Sequence, residues 1–321
     1  MKYALMLQPS QTTYDISAEL SILASSIQKN IYLEHGCQKG DCGHCKATLI
    51  SGTVKTALGE LIDAGDILTC LCFPRSDLII EANYIPELAE IQQMTLPCKV
   101  SNIQYVNERF VILTLRIPPH SNFNFLPGQY VDLSYKGVTR SYSIASLVSA
   151  ENTFDVHIRL FDNGQFSQLI ASLELHQVMR LTGPKGSFFI RKSNQPVLLL
   201  ASGTGFAPIH AMVQALIAEK DKRDIYIYWR MRQANHFYME QPLFMMDANN
   251  IKYIPFIPEK DAQWHGRVGS INDVLSLDFP SLSGFAGYAC GSAGFIEEAK
   301  KNCLELQLDE NNFYTDLFTP A

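Results

Sequence analysis

The chain has 321 residues, of which 47% are hydrophobic and 18% charged, with a net charge of -6 and a pI near 5.8. That length exceeds one ordinary core and implies two or three domains, while the acidic balance argues against nonspecific nucleic-acid binding. Eight cysteines at this length are not a secreted disulfide framework. The first residues lack the basic segment and apolar stretch of a secretory signal, and no apolar run approaches the ~20 residues that span a bilayer. A reducing cytoplasm is expected, with no nucleic-acid partner and no membrane span.

Residues 1–90 begin with two short β-prone stretches, Tyr3–Leu7 and Thr13–Ile16. A helix over Ser21–Lys29 follows, with Ile22, Leu23 and Ile27 at helical spacing. Further strands are expected at Ala47–Ile50 and Leu78–Glu81, giving a small mixed sheet crossed by one helix. Between them stand Cys37, Cys42 and Cys45 in a C-x4-C-x2-C run, with Cys70 and Cys72 beyond. This is the spacing of a plant-type 2Fe–2S cluster. Zinc more often takes paired C-x2-C knuckles, and only one such pair is present. Gly36, Gly40 and Gly43 leave backbone N–H groups free to point at sulfur. Cys70 and Cys72 face opposite ways in an extended segment, so one of them faces the cluster and the other packs.

Residues 85–97, bracketed by Pro86 and Pro97, read as a linker region, with the linker proper at 91–97. Residues 98–194 are rich in strand signals: Arg109–Ile117, Tyr130–Leu133, Ser141–Ile144, Phe154–Arg159 and Val178–Leu181, separated by Gly, Pro, Asn and Ser. A small antiparallel β-barrel is expected. Arg140-Ser141-Tyr142-Ser143 puts a phosphate partner, a stacking ring and a hydroxyl on one strand edge. Taken alone, four such residues are most simply an ordinary amphipathic strand. Arg159 and the turn Asn163-Gly164-Gln165-Phe166-Ser167 add a cradle suited to pyrophosphate.

Residues 195–321 change character. Pro196–Ala201 is a continuous apolar run, as in a buried parallel strand. It leads into Gly203-Thr204-Gly205-Phe206-Ala207-Pro208 and a helix over Ile209–Lys220. Strands are expected at Ile225–Trp229, Tyr253–Phe256, Gly284–Cys290 and Phe313–Leu317. The alternation implies a doubly wound α/β domain. Gly203, Thr204, Gly205 and Pro208 let a dinucleotide approach the backbone at a helix start. They do not form the full G-x-G-x-x-G fingerprint. Cys290-Gly291-Ser292 ends a later strand, where ligands of open α/β sheets bind. Cys290 is expected either to face a nicotinamide or simply to pack. Cys98 and Cys303 read as packing residues, Trp229 and Trp264 as core or inter-domain contacts, and the histidines show no metal-ligand spacing.

With these residues in place, the chain resembles the iron–sulfur flavoprotein reductases of the ferredoxin–NADP reductase superfamily along essentially its whole length. The matching segments are GCQKGDCGHC, ILTCLCFPRSDL, FLPGQYVDL, RSYSIA, HIRLFDNGQFS, GPKGSFF, GTGFAPI, YACGS and FYTDLFTPA. IYLEHGCQKGDCGHC, IPELA, PCKVSNI and IYIYW look closest to the branch of CDP-6-deoxy-3,4-glucoseen reductases. Those enzymes feed electrons to a pyridoxamine-phosphate-dependent dehydrase in 3,6-dideoxyhexose biosynthesis.

The resemblance implies a β-grasp ferredoxin domain at 1–90, an antiparallel β-barrel FAD domain at 98–194 and a doubly wound NAD(P)-binding domain at 195–321. It implies 2Fe–2S, FAD and NADH as cofactors, with NADPH possible. Cys37, Cys42, Cys45 and Cys70 would ligate the cluster, Cys70 because it stands four residues before Pro74. Arg140, Tyr142 and Ser143 would bind FAD, with Ser143 near the flavin N5. Arg159, Gly164 and Ser167 would hold its pyrophosphate, and Phe318 would cover the ring. Gly203, Thr204, Gly205, Pro208, Cys290, Gly291 and Ser292 would form the dinucleotide site. The catalytic set would be Ser143, Cys290 and Phe318. Arg230 stands where the family usually has Gly, Ala293 follows Ser292 where it usually has Pro, and the gap from Cys45 to Cys70 is shorter than usual. Arg230 is accordingly placed at the adenosine end of the dinucleotide. The electron acceptor would be a partner protein: the dehydrase or, alternatively, an oxygenase component. A redox-sensing binding module is the reading from another class.

Overall fold

The computed structural model describes residues 1–239 and 249–318. The chain folds as two units, Met1–Gln92 with Lys185–Ser187, and Gln93–Pro184 with Phe188–Ala321.

The first unit carries a five-stranded mixed sheet in the order Thr13–Ser17, Lys2–Gln8, Leu78–Glu81, Lys46–Ser51, Gly65–Leu68. Lys2–Gln8 and Leu78–Glu81 run parallel and the other neighbours antiparallel. The helix Ile22–Gln28 starts where the Ser21 side chain accepts from the Ala24 N–H at 3.2 Å, which satisfies one of the free donors of its first turn. Ile22 and Leu23 are buried with Leu5, Leu7, Leu49 and Ile80 in one core, which Cys45, Cys70 and Cys72 also enter. This is the β-grasp arrangement.

The second unit begins with a six-stranded sheet ordered Val138–Ser143, Tyr130–Tyr135, Val178–Lys185, Met94–Asn107, Phe110–Arg116, Thr153–Arg159. An antiparallel bridge between Ile144 and Val156 brings the two ends of that order together and closes a barrel. One expectation needs correction. Residues 94–97, read as linker, open the long strand Met94–Asn107. Pro97 is tolerated because it pairs only with Arg180. The second neighbour, Phe110–Arg116, joins the strand from Lys99 onward. At that single-sided position the missing N–H of proline costs no ladder bond.

The same unit holds a parallel sheet in the order Arg267–Val268, Ile251–Ile257, Ile225–Arg230, Val197–Ser202, Ala286–Gly291, Phe313–Leu317. Val197, Leu199 and Ala201 enter one apolar cluster, with the helix Phe206–Ala218. Leu198 and Leu200 enter the other, with residues of Ile271–Asp278 and Ala293–Glu305. Side chains alternate along a strand, so a continuous apolar run serves two cores and the sheet is doubly wound. The helix Phe206–Ala218 starts three residues before the expected Ile209. The strand order reverses at Val197–Ser202, which has Ile225–Arg230 on one side and Ala286–Gly291 on the other. A crevice for ligands is expected at that switch point.

Candidate active site

The cysteine sulfurs form two pairs. Cys45 Sγ and Cys70 Sγ are 3.0 Å apart, and the Cys37 and Cys42 thiols are hydrogen-bonded neighbours, with the Cys37 N–H donating to Cys42 Sγ at 3.3 Å. The Lys39 N–H donates to Cys37 Sγ at 3.4 Å, and the Gly40 N–H is directed at Cys70. Gly40 has φ +88, and a Cβ there would meet Leu71 Cδ1 at 2.4 Å, so only glycine carries the loop past Leu71. The hydrogen bond from Cys70 pulls the Cys45 thiol down to about 6, while its neighbour Cys45 and then burial push Cys70 up. Among the described residues no three His, Cys, Asp or Glu side chains converge as ligands of a single ion do. Two sulfur pairs with backbone donors aimed at them fit a two-iron cluster, one pair to each iron. Cys72 lies apart from these pairs, buried in the strand Cys72–Pro74 opposite Thr56.

On the barrel, Arg140 and Tyr142 are half-buried on one face of Val138–Ser143, and Ser143 is buried at its end. The Tyr142 ring lies 5.4 Å from Phe166 on the helix Gln165–Ala171, whose N-cap is Gly164. The Ser167 hydroxyl accepts from the Phe161 N–H at 3.0 Å, and the Arg159 guanidinium lies 5.0 Å from the Phe161 ring centre. Tyr142, Gly164, Ser167 and Arg159 are thus linked through Phe161 and Phe166. The Arg140 guanidinium donates to the Thr139 carbonyl at 2.8 Å, but among the described residues its Nε is buried without a partner. A buried unpaired cationic donor is costly, so this strand suits an anionic ligand such as the FAD pyrophosphate. Arg159 also lines a cavity of about 510 Å³ with Arg109, Arg232, His236 and Lys260.

In the parallel sheet, Gly203–Gly205 forms a single tight turn before the helix Phe206–Ala218, with Pro208 buried in the first helical turn. The Trp229 indole donates to the Gly203 carbonyl at 2.9 Å. A Cβ on Gly205 would lie 2.1 Å from the Cys290 carbonyl oxygen; the turn therefore touches the Cys290–Gly291 backbone. The Phe318 N–H donates to the Gly291 carbonyl at 2.8 Å, which draws the C-terminal aromatic to the same strand end. Thr319, Pro320 and Ala321 of the FYTDLFTPA segment lie outside the described residues. Ser292 caps the helix Ala293–Glu305 without a side-chain cap bond. The fold thus gathers Gly203, Thr204, Gly205, Cys290, Gly291, Ser292 and Phe318 at the switch point.

Sequence reasoning missed Asp316. Its carboxylate is 3.8 Å from Cys290 Sγ, because the two residues are register partners on adjacent parallel strands. The residue as a whole is half-buried, but its carboxyl is drawn inward, and burial raises its pKa to about 7. The signal was a single acid in the otherwise strand-like FYTDLF. Arg230 is more constrained than expected: it pairs with Glu298 at 2.9 Å and lies 4.7 Å over the Phe295 ring.

Residues 5–75 match the 2Fe-2S iron-sulfur cluster binding domain, residues 97–190 the oxidoreductase FAD-binding domain and residues 199–301 the oxidoreductase NAD-binding domain. The chain is therefore an iron–sulfur flavoprotein oxidoreductase that uses 2Fe–2S, FAD and NAD(H). It is 42% identical to protein RfbI of Salmonella typhimurium, covering 100% of this chain and 98% of that one. It is 40% identical to the CDP-6-deoxy-L-threo-D-glycero-4-hexulose-3-dehydrase reductase of Yersinia pseudotuberculosis over 100% of both chains. The crystal structure of the Amycolatopsis cytochrome P450 reductase GcoB shares the fold, with a TM-score of 0.78 at 21% identity over 99% of each chain. The chain belongs to the iron–sulfur flavoprotein reductases of the ferredoxin–NADP reductase superfamily, in the branch of the Salmonella and Yersinia proteins.

Proposed function

We propose that this reductase supplies electrons to a pyridoxamine-phosphate-dependent dehydrase acting on a CDP-linked 6-deoxyhexulose. The observation that carries this is the end-to-end 40% identity with the Yersinia reductase, covering 100% of both chains. When bound, FAD would supply the conversion of electron pairs into single electrons, and the cluster a one-electron relay.

The residues divide the work. Cys37, Cys42, Cys45 and Cys70 ligate the iron pair. Arg140 would neutralise the FAD pyrophosphate, Tyr142 would hold the flavin, and Ser143 would stand near its N5. Arg159, Gly164 and Ser167 complete the pyrophosphate cradle. Gly203, Thr204, Gly205 and Pro208 seat the dinucleotide against Cys290, Gly291 and Ser292. Phe318 would cover the flavin ring and give way to nicotinamide, and Arg230 would face the adenosine end. Segments 1–90, 98–194 and 195–321 carry the cluster, FAD and dinucleotide in turn. The free cysteines suit a reducing cytoplasm.

The test is reconstitution of the loaded reductase with such a dehydrase, its CDP-sugar and NADH. Deoxygenated sugar should form in proportion to NADH consumed. Sugar reduction at background, alongside efficient coupling to an oxygenase component, would overturn the proposal in favour of an oxygenase reductase.

A further inference from the structure

We infer that His210 and Gln214 are positioning residues for electron transfer from dinucleotide to flavin: from the helix that starts at the Gly203–Gly205 turn, they hold the chain just beyond Ser143. The inference rests on the reading above that the Ser143 strand binds flavin and the turn binds the dinucleotide.

The helix Phe206–Ala218 begins immediately after the turn, and one turn further in His210 is 6% exposed. Its Nδ1 is 2.7 Å from the Ala145 carbonyl oxygen. A carbonyl only accepts, so Nδ1 carries the proton and donates. One helical turn later, the Gln214 side-chain oxygen accepts from the Leu147 N–H at 2.9 Å. Both bonds run from the α/β part of the second unit to residues two and four positions past Ser143.

The same stretch is anchored to the barrel through Ala145 and Ser146. The Ala145 N–H donates to the Asp155 carbonyl at 2.7 Å, and the Asp155 N–H donates to the Ser146 hydroxyl at 2.9 Å. Residues 145–147 are therefore a joint, tied to the barrel strand Thr153–Arg159 and to the dinucleotide helix. The helix itself cannot slide relative to the turn. Phe206 stacks on Trp229 at 4.1 Å, and the Trp229 indole holds the Gly203 carbonyl.

A buried leucine would fill the space without the cost of desolvating an imidazole. Beside its ring contacts with His157 and Phe206, the imidazole makes a bond to Ala145 that ties the helix after the turn to the Ser143 end of the flavin strand. Transfer between two stacked rings depends steeply on their alignment, and a misplacement of about 1 Å costs as much as ~100-fold in rate.

The test uses the FAD- and cluster-loaded protein in stopped flow, following flavin bleaching by NADH. His210→Leu and Gln214→Met should each lower the limiting rate about ten-fold with the apparent dissociation constant for NADH changed less than two-fold. His210→Asn places its amide N–H where Nδ1 stands, and should recover most of the rate. Amide exchange at Ser146 and Leu147 should quicken in the leucine and methionine variants. Wild-type limiting rates in both variants would overturn the inference. So would slowing accompanied by a proportional loss of NADH affinity, or flavin loss that asparagine does not relieve, either of which marks a purely structural role. Failure of NADH to bleach the wild-type flavin would instead sink the underlying site reading.

Discussion

Cys290 and Asp316 face each other across adjacent parallel strands, with the thiol 3.8 Å from the carboxylate. Burial lifts the Asp316 carboxyl to about 7; burial, and then Asp316 itself, push the Cys290 thiol well up. Because the folded-state value lies above the ordinary aspartate value, the protonated form is favoured in the fold. The resulting stability is complete below about pH 4 and is lost as pH rises through about 7. Asp316→Asn has no such proton to lose. Wild type should therefore lose ground to Asp316→Asn between about pH 4 and 7, by on the order of 2 kcal/mol after discounting for partial exposure. Melting curves of the loaded proteins across that range check this, and parallel pH dependences would refute it.

Cys70, not Cys72, should prove indispensable to the cluster. Cys70 Sγ is 3.0 Å from Cys45 Sγ, whereas Cys72 is 2% exposed within a small sheet. Cys70→Ser should abolish the visible absorbance of the cluster while NADH still bleaches the flavin. Cys72→Ser should keep the cluster spectrum and lose about 1 kcal/mol of stability. The reverse pattern in iron content and absorbance would exchange the two assignments.

Much of this architecture was legible because it is written in local pattern. The run 197–201 is apolar at successive positions because both sheet faces are covered, and the cysteine spacing reflects a single loop. What escaped depends on register between distant segments. Asp316 reads as an ordinary polar position in a strand until the pairing of two strands sets it against Cys290. His210 reads as one of several histidines without metal-ligand spacing until the barrel brings Ala145 to it. Met94–Pro97 resembled linker because two prolines flank the region. Only the pairing shows that Pro97 has a neighbour on one side alone.

Arg140 is expected to dominate flavin retention. Among the described residues its Nε is buried without a partner, and an anionic phosphate would satisfy it by a charge-assisted bond. Arg140→Ala should weaken FAD binding at least about ten-fold. Arg140→Lys should recover little, since an ammonium lacks the planar fork. The measurement is flavin retained per chain after dialysis, with cluster content as a control for folding. Full retention in the alanine variant would remove Arg140 from the pyrophosphate site.

Arg230 ends the strand Ile225–Arg230 in register with Ser202, one residue before the Gly203 turn. The proposed function puts it at the adenosine end of the dinucleotide, where a 2′-phosphate would sit, yet Glu298 holds it at 2.9 Å with side-chain exposures of 23% and 35%. The carboxylate neutralises Arg230 and would repel the extra phosphate of NADPH. Glu298→Gln should therefore raise the ratio of kcat/KM for NADPH over NADH about five- to ten-fold, a differential of about 1 kcal/mol. Adding Arg230→Gly should cancel that gain, because the freed guanidinium is what the phosphate would use. Steady-state kinetics with a one-electron dye on the four combinations tests the pair. A ratio within two-fold of wild type in Glu298→Gln would remove this ion pair from cofactor choice.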